Sequence, residues 1–69
     1  MKEEKFEIEG KVIKSVRNGF IVQIENGREI SCTLSGRLRK FGIFITEGDK
    51  IIAELGGYDL TKGRIIKRL

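Results

Sequence analysis

Phe20-Ile21-Val22-Gln23-Ile24-Glu25-Asn26-Gly27-Arg28-Glu29-Ile30-Ser31-Cys32-Thr33-Leu34 is the stretch that decides the fold class. Apolar Phe20, Val22 and Ile24 alternate with Ile21, Gln23 and Glu25, and after a short break Ile30, Cys32 and Leu34 alternate with Glu29, Ser31 and Thr33. A period of two sends successive side chains to opposite faces of an extended chain, so each half predicts a strand with one buried face. Asn26-Gly27 at the centre suits the positive φ angles of a two-residue type I′ turn, which joins the two strands as a hairpin.

On the N-terminal side, Phe6 to Val16 opens with the same alternation, Phe6, Ile8 and Val12 against Glu7, Glu9 and Lys11. Gly10 falls on the inward face, where a missing side chain permits a bend or bulge, and beyond it Ile13 and Val16 compete for the inside. Asn18-Gly19 marks the turn into the second strand, which makes the first three strands a meander. On the C-terminal side the period changes at Ser35. Ser35 can cap a helix, and Leu38 and Phe41 lie three apart, as one side of a helical turn plugging a barrel end would place them. Ile43-Phe44-Ile45 leads to a turn at Glu47-Gly48-Asp49, and Ile51, Ala53 and Leu55 alternate through a fourth strand. Gly56-Gly57-Tyr58-Asp59 opens a loop that ends at Lys62-Gly63, and residues 63–69 form the fifth strand, in which the adjacency of Ile65 and Ile66 leaves the inward one open. Three strands, a short helix and two strands predict an all-β chain, a five-stranded OB-fold barrel with a short helical turn between strands 3 and 4. The rival SH3-like barrel would carry its helical turn between the last two strands, where this chain has glycines. The absence of proline suits nearly continuous ladders.

Sixty-nine residues are enough for one domain, since so short a chain buries only about 60% of its unfolded surface. Cys32 is the one cysteine and histidine is absent, so neither a disulfide nor a histidine-based metal site can staple the fold. Cys32 reads as a small core residue in a reducing compartment. The common general base and nucleophile pair are missing. Glu47 with Asp49, and Glu54 with Asp59, lie in turn and surface contexts with no apolar pocket to raise a carboxyl pKa. The expectation is therefore no enzyme, no catalytic residue, no metal and no cofactor. No apolar run approaches the roughly 20 residues of a membrane span, and the charged N-terminus does not read as a signal peptide, so a cytoplasmic protein without a membrane partner is expected.

The net charge is +4, but residues 1–9 carry −2 and leave +6 on residues 10–69. A basic body favours a polyanion, because phosphates neutralised by Lys or Arg release counterions. Two clusters concentrate the charge: Arg37, Arg39 and Lys40 on the helical turn, and Lys62, Arg64, Lys67 and Arg68 along the last strand. Singly, the first reads equally well as a solvated helix face and the second as a charged strand edge. In an OB-fold both lie near the face that meets nucleic acid, which favours RNA binding. Tyr58 and the out-of-phase Phe44 are candidates to stack on an unpaired base, though core packing competes for Phe44. Arg17, Asn18 and Gly19, with Lys14, form a weaker third candidate at the first turn.

Ser35-Gly36-Arg37-Leu38-Arg39-Lys40, Gly48-Asp49-Lys50 and Tyr58-Asp59-Leu60-Thr61-Lys62-Gly63-Arg64-Ile65 resemble bacterial and plastid translation initiation factor one, and the likeness extends more loosely through Gly10, Val12 and the Asn26-Gly27 hairpin. That family is an OB-fold of the S1-like type. The resemblance implies a single S1-like domain over residues 1–69, with residues 1–5 a candidate disordered acidic tail. It also implies a monomer off the ribosome, in bacterial cytosol or plastid stroma, that occupies the aminoacyl-tRNA site of the small ribosomal subunit and assists initiation factors two and three. By that resemblance Arg37, Arg39, Lys40, Lys62 and Arg64 face ribosomal RNA, and the turn from Arg17 to Gly19 enters an RNA groove. Phe44 stands where relatives usually carry arginine, Thr33 where they can carry histidine, and the first turn lacks a proline often found there. The alternative is a cold-shock-like or single S1-type domain gripping single-stranded RNA with little sequence preference. Such domains usually display several aromatics on strands two and three, where this chain has Phe20 alone. A protein-binding SH3-like module is a third reading.

Overall fold

Alternation becomes a sheet because each strand hides one face against the others, and five strands here close the sheet on itself. The computed structural model describes residues 5–56 and 59–69. Its elements are β1 (Lys5–Val16), β2 (Gly19–Ile24), β3 (Glu29–Leu34), α1 (Gly36–Lys40), β4 (Lys50–Gly56) and β5 (Asp59–Arg68). They form a closed barrel in the order β1-β2-β3-β5-β4, with every pairing antiparallel except β3 with β5. All-β architecture with one short helix between β3 and β4 is the expected OB-fold.

The core takes one side chain from every second position: Val22 and Ile24 from β2, Ile30 and Cys32 from β3, Ile51, Ala53 and Leu55 from β4. Val12 and Ile65 join them fully buried, and Leu38 closes the end under α1. Ile65, not Ile66, points inward. The register between β4 and β5 passes from Ala53↔Ile65 to Ile52↔Lys67, so Ile66 has no opposite residue and sits half-buried in a bulge.

Several expectations need correction. The bulge in β1 lies at Ile13, between Val12↔Val22 and Lys14↔Ile21, and not at Gly10. Gly10 is instead where β1 pairs with both neighbours, Ile24 on β2 and Ile51 on β4. Neither Ile13 nor Val16 wins the inside, and both are exposed. Phe6 keeps the inward phase opposite Leu55 but is 49% exposed, because residues 5–9 of β1 pair with β4 alone and have no β2 neighbour to cover them. The hairpin after β2 is not type I′. Asn26 does not have a positive φ, while Gly27 has φ 85°. Gly27 N–H donates to Ile24 O at 2.9 Å and Ile24 N–H to Arg28 O at 2.9 Å, the three-residue loop in which a left-handed glycine follows a type I turn. Asn26 Oδ1 fixes it by accepting from Arg28 N–H at 2.9 Å. β5 begins at Asp59 and not at Gly63, since Asp59 pairs with Gly56 and Lys62 with Ser31. Of the expected loop from Gly56 to Gly63, Gly56 and residues 59–63 are therefore strand, and Gly57 and Tyr58 lie outside the described residues. Lys5 opens β1, and the rest of the expected acidic tail, residues 1–4, lies outside the described residues.

This packing makes Gly10 and Cys32 sensitive positions. A methyl at Gly10 would collide with Val22 Cγ1 and reach 3.1 Å from the Gln23 carbonyl oxygen, and fully buried, β-branched Val22 cannot swing away. Gly10→Ala is expected to lower unfolding free energy by about 1–3 kcal/mol in a denaturant titration. Burial raises the Cys32 thiol pKa from 9.0 to about 11, so the thiol should stay unreactive to a disulfide reagent at pH 8 until the chain unfolds. Between those two values the unfolded thiol gives up its proton first, so stability should fall as pH rises from 9 to 11. A Cys32→Ala variant, melted over the same range, should lose less.

Candidate nucleic-acid interface

The local chain builds the site around α1. Ser35 is extended, and its Oγ accepts the Leu38 N–H at 3.2 Å, which starts the helix as the sequence predicts. The end was not foreseen. Gly42 has φ 67°, its N–H donates to Arg39 O at 3.2 Å, and Ile43 N–H donates to Leu38 O at 3.1 Å. This pairing of the two residues after the cap with carbonyls of the last turn is a Schellman motif. It makes Phe41 the cap residue and leaves it 65% exposed, so Phe41 does not hold the element inside as Leu38 does. The signal was Phe41-Gly42 directly after a basic helical turn.

With Leu38 buried beneath it, the helix stands between two shallow depressions. One, of about 650 Å³, is lined by Arg37, Phe41, Ile43, Glu54, Arg64, Ile66, Lys67 and Arg68 among others. The other, of about 500 Å³, is lined by Val16, Arg17, Asn18, Gly19, Phe20, Leu34 and Arg39. The fold thus brings the first-turn candidates against Arg39 and the last-strand candidates against Arg37. Gly19 has a packing role of its own, since a side chain there would collide with the Cys32 carbonyl oxygen. Lys40 is exposed at the end of α1 and lines neither depression. Lys62 lies on a separate outward row, opposite Ser31, which lies opposite Ile21, which lies opposite Lys14. Phe44 does not pack in the core but is 81% exposed. Tyr58 lies outside the described residues.

The electrostatics divide the cations into two kinds. Among the described residues, no ion pair or side-chain hydrogen bond engages Arg17, Arg37, Arg39, Lys40, Lys62, Arg64 or Lys67. Arg68 differs: its Nη1 donates to Phe44 O at 3.2 Å, and its Nε lies 3.9 Å from Asp49 Oδ2. Of the two carboxylate pairs weighed for acid–base work, Glu47 and Asp49 have structural duties, since Glu47 accepts from Ser15 N–H at 3.3 Å and Asp49 from Thr46 N–H at 2.9 Å. Among the described residues no group of His, Cys, Asp or Glu could hold a metal ion, and no helix is long and apolar enough to cross a membrane. Such a surface can bind a polyanion with solvated guanidinium and ammonium groups and offer two exposed phenyl rings beside them.

Comparison with known proteins bears on the fold and the family. The solution structure of translation initiation factor one from the Wolbachia endosymbiont strain TRS of Brugia malayi superposes with a TM-score of 0.81 at 41% identity, over 94% of this chain and 78% of that one. The crystal structure of YjeQ from Thermotoga maritima superposes with a TM-score of 0.76 at 29% identity, over 93% of this chain but 23% of that much longer one. The family model for translation initiation factor 1A / IF-1 matches residues 1–69, so the motifs flanking α1 and along β5 sit within a match that runs the full given sequence, and the chain belongs to that family of translation initiation factors.

Proposed function

We propose that this chain, as a single S1-like domain, occupies the aminoacyl-tRNA site of the small ribosomal subunit during initiation, contacts ribosomal RNA there, and assists the other initiation factors without catalysing a reaction. It acts as a monomer until it meets the subunit, in bacterial cytosol or a plastid stroma. The observation that carries this reading is the pair of depressions on either side of α1, rimmed by Arg17 and Arg39 on one side and by Arg37, Arg64 and Lys67 on the other, with no internal ion pair for any of these cations among the described residues. Cations held by a barrel but unpaired within it keep full capacity for phosphate, and Arg adds a two-pronged geometry. Lys40, Lys62 and the turn residues Asn18 and Gly19 extend the proposed surface. Phe44, and Tyr58 by its sequence position, would add stacking on unpaired bases.

The cold-shock-like alternative needs an aromatic platform on β2 and β3. Phe20 is half-buried against the core, and the outward positions there are Ile21, Gln23, Glu29, Ser31 and Thr33. Recognition by phosphate position and RNA shape fits better.

Titration of labelled protein against isolated small ribosomal subunits tests the reading. Binding should be far tighter than to unstructured RNA, and log K should fall with log salt at about −0.7 to −0.9 per phosphate contacted. Equal affinity for the two would promote the alternative. Arg39→Ala and Arg64→Ala are each expected to weaken binding about tenfold and make the salt slope shallower by about one phosphate, with the thermal midpoint nearly unchanged. Loss of folding in both would make them structural residues. Phe44→Ala should weaken binding by about 1–3 kcal/mol while leaving the salt slope unaltered, because a stacked ring carries no counterion.

A further inference from the structure

Arg68 belongs by sequence to the basic run that begins at Arg64, yet its guanidinium is turned back onto the protein. Nη1 donates to the Phe44 carbonyl oxygen at 3.2 Å and Nε faces Asp49 Oδ2 at 3.9 Å. Asp49 is itself fixed, for the same Oδ2 accepts Thr46 N–H at 2.9 Å and Thr46 Oγ1 at 3.3 Å. The backbone on either side of this carboxylate is tied to β1 and to Leu69, the residue after β5. Gly48 N–H donates to Val12 O at 2.7 Å, Val12 N–H to Asp49 O at 2.9 Å, and Leu69 N–H to Lys50 O at 2.8 Å. Phe44 itself lies in no strand or helix and 81% of it is exposed, between half-buried Ile43 and buried Ile45.

We infer that Arg68 is a positioning residue for Phe44: by clamping the Phe44 carbonyl to the Thr46–Asp49 turn it fixes the backbone that projects the exposed ring toward a nucleobase, and it is not itself a phosphate contact. The Ile43–Ile45 segment has no ladder partner at Phe44, so without the clamp its peptide would be free to rotate between its two anchored neighbours. A ring carried on a fixed backbone loses less freedom when a base stacks on it, which is the general advantage of a pre-organised contact. The inference deepens the proposed function and rests on Phe44 meeting RNA.

Two measurements separate the inference from that reading. In the free protein, the backbone order parameter of the Ile45 amide, which shares a peptide plane with the clamped Phe44 carbonyl, should be near about 0.85 and drop toward about 0.6 in Arg68→Gln, with partial recovery in Arg68→Lys, which can still donate to the carbonyl. An unchanged order parameter overturns the clamp. On small ribosomal subunits, Arg68→Gln should weaken binding about threefold to tenfold in the protein with Phe44, but less than about twofold in a Phe44→Ala background. The salt slope should stay the same in both. Additive losses together with a slope shallower by about one phosphate would make Arg68 a direct phosphate contact and overturn the inference. If the unaltered protein does not bind subunits at all, the RNA reading fails, and the Ile45 order parameter alone upholds or overturns the clamp. Native protection of the Cys32 thiol in each variant confirms that the fold is kept.

Discussion

The parallel pairing of β3 with β5, from Ser31↔Lys62 to Leu34↔Ile65, is the constraint on which the rest of the molecule depends. A five-stranded sheet left open there would expose two edges, and a domain of this size has too little core to tolerate them. Parallel neighbours cannot be joined by a tight turn, so the chain must travel from the end of β3 to the start of β5 by a long route. That route contains α1 and β4. The Ser35 N–H donates to the Ile65 carbonyl oxygen at 3.0 Å, so the closure also fixes where the helix begins. The proposed RNA-facing surface is thus a consequence of how the barrel shuts: Arg37 lies beside Arg64 because the helix starts on β5, and Arg39 lies beside Arg17 because the other side of the helix looks toward the β1–β2 turn.

Closure also sorts the charges. An outward row runs from Glu7 on β1 through Glu54 on β4 and Arg64 on β5 to Thr33 on β3. Charge along this row changes sign between β4 and β5, so Glu54 stands at the acidic edge of the depression that Arg37 and Arg64 rim. The cations beside α1 are left without internal partners among the described residues. A surface ion pair adds little stability, so leaving these cations unpaired costs the fold little and keeps them available to phosphate. Arg68 shows the contrast, since it is placed where a carbonyl and a carboxylate meet it.

Alternation made most of this legible in advance. β2, β3 and β4 have the phases that Val22, Cys32 and Ala53 announce, and Ser35 caps the helix. What could not be read was set by pairing between distant strands. Ile13 and Ile66 are both bulge residues, and a bulge is a property of two strands that one strand's periodicity does not record. Phe6 was misplaced for a related reason, because its phase was right but its second neighbour strand was absent. The glycine at 27 signalled a turn, and its type was decided by Asn26 keeping a negative φ. At the site, the basic residues were visible as clusters, whereas their division into two depressions and the diversion of Arg68 required the barrel. Phe41 was read through helical spacing and was overruled by Gly42, which ends the helix one residue too soon for Phe41 to turn inward.

Phe44 presents an exposed ring whose backbone carbonyl is held by Arg68 at the end of a basic strand. In the proposed function the two sides of α1 act as one RNA-facing surface, and hydrogen–deuterium exchange on the protein bound to small ribosomal subunits tests this most directly. Binding should slow amide exchange at Arg17 to Phe20, from Arg37 to Phe44, and from Arg64 to Arg68, and leave Glu7 to Glu9 and the Glu25–Arg28 turn unchanged. Slowed exchange confined to Glu7–Glu9 and the Glu25–Arg28 turn, with α1 unaffected, would contradict it.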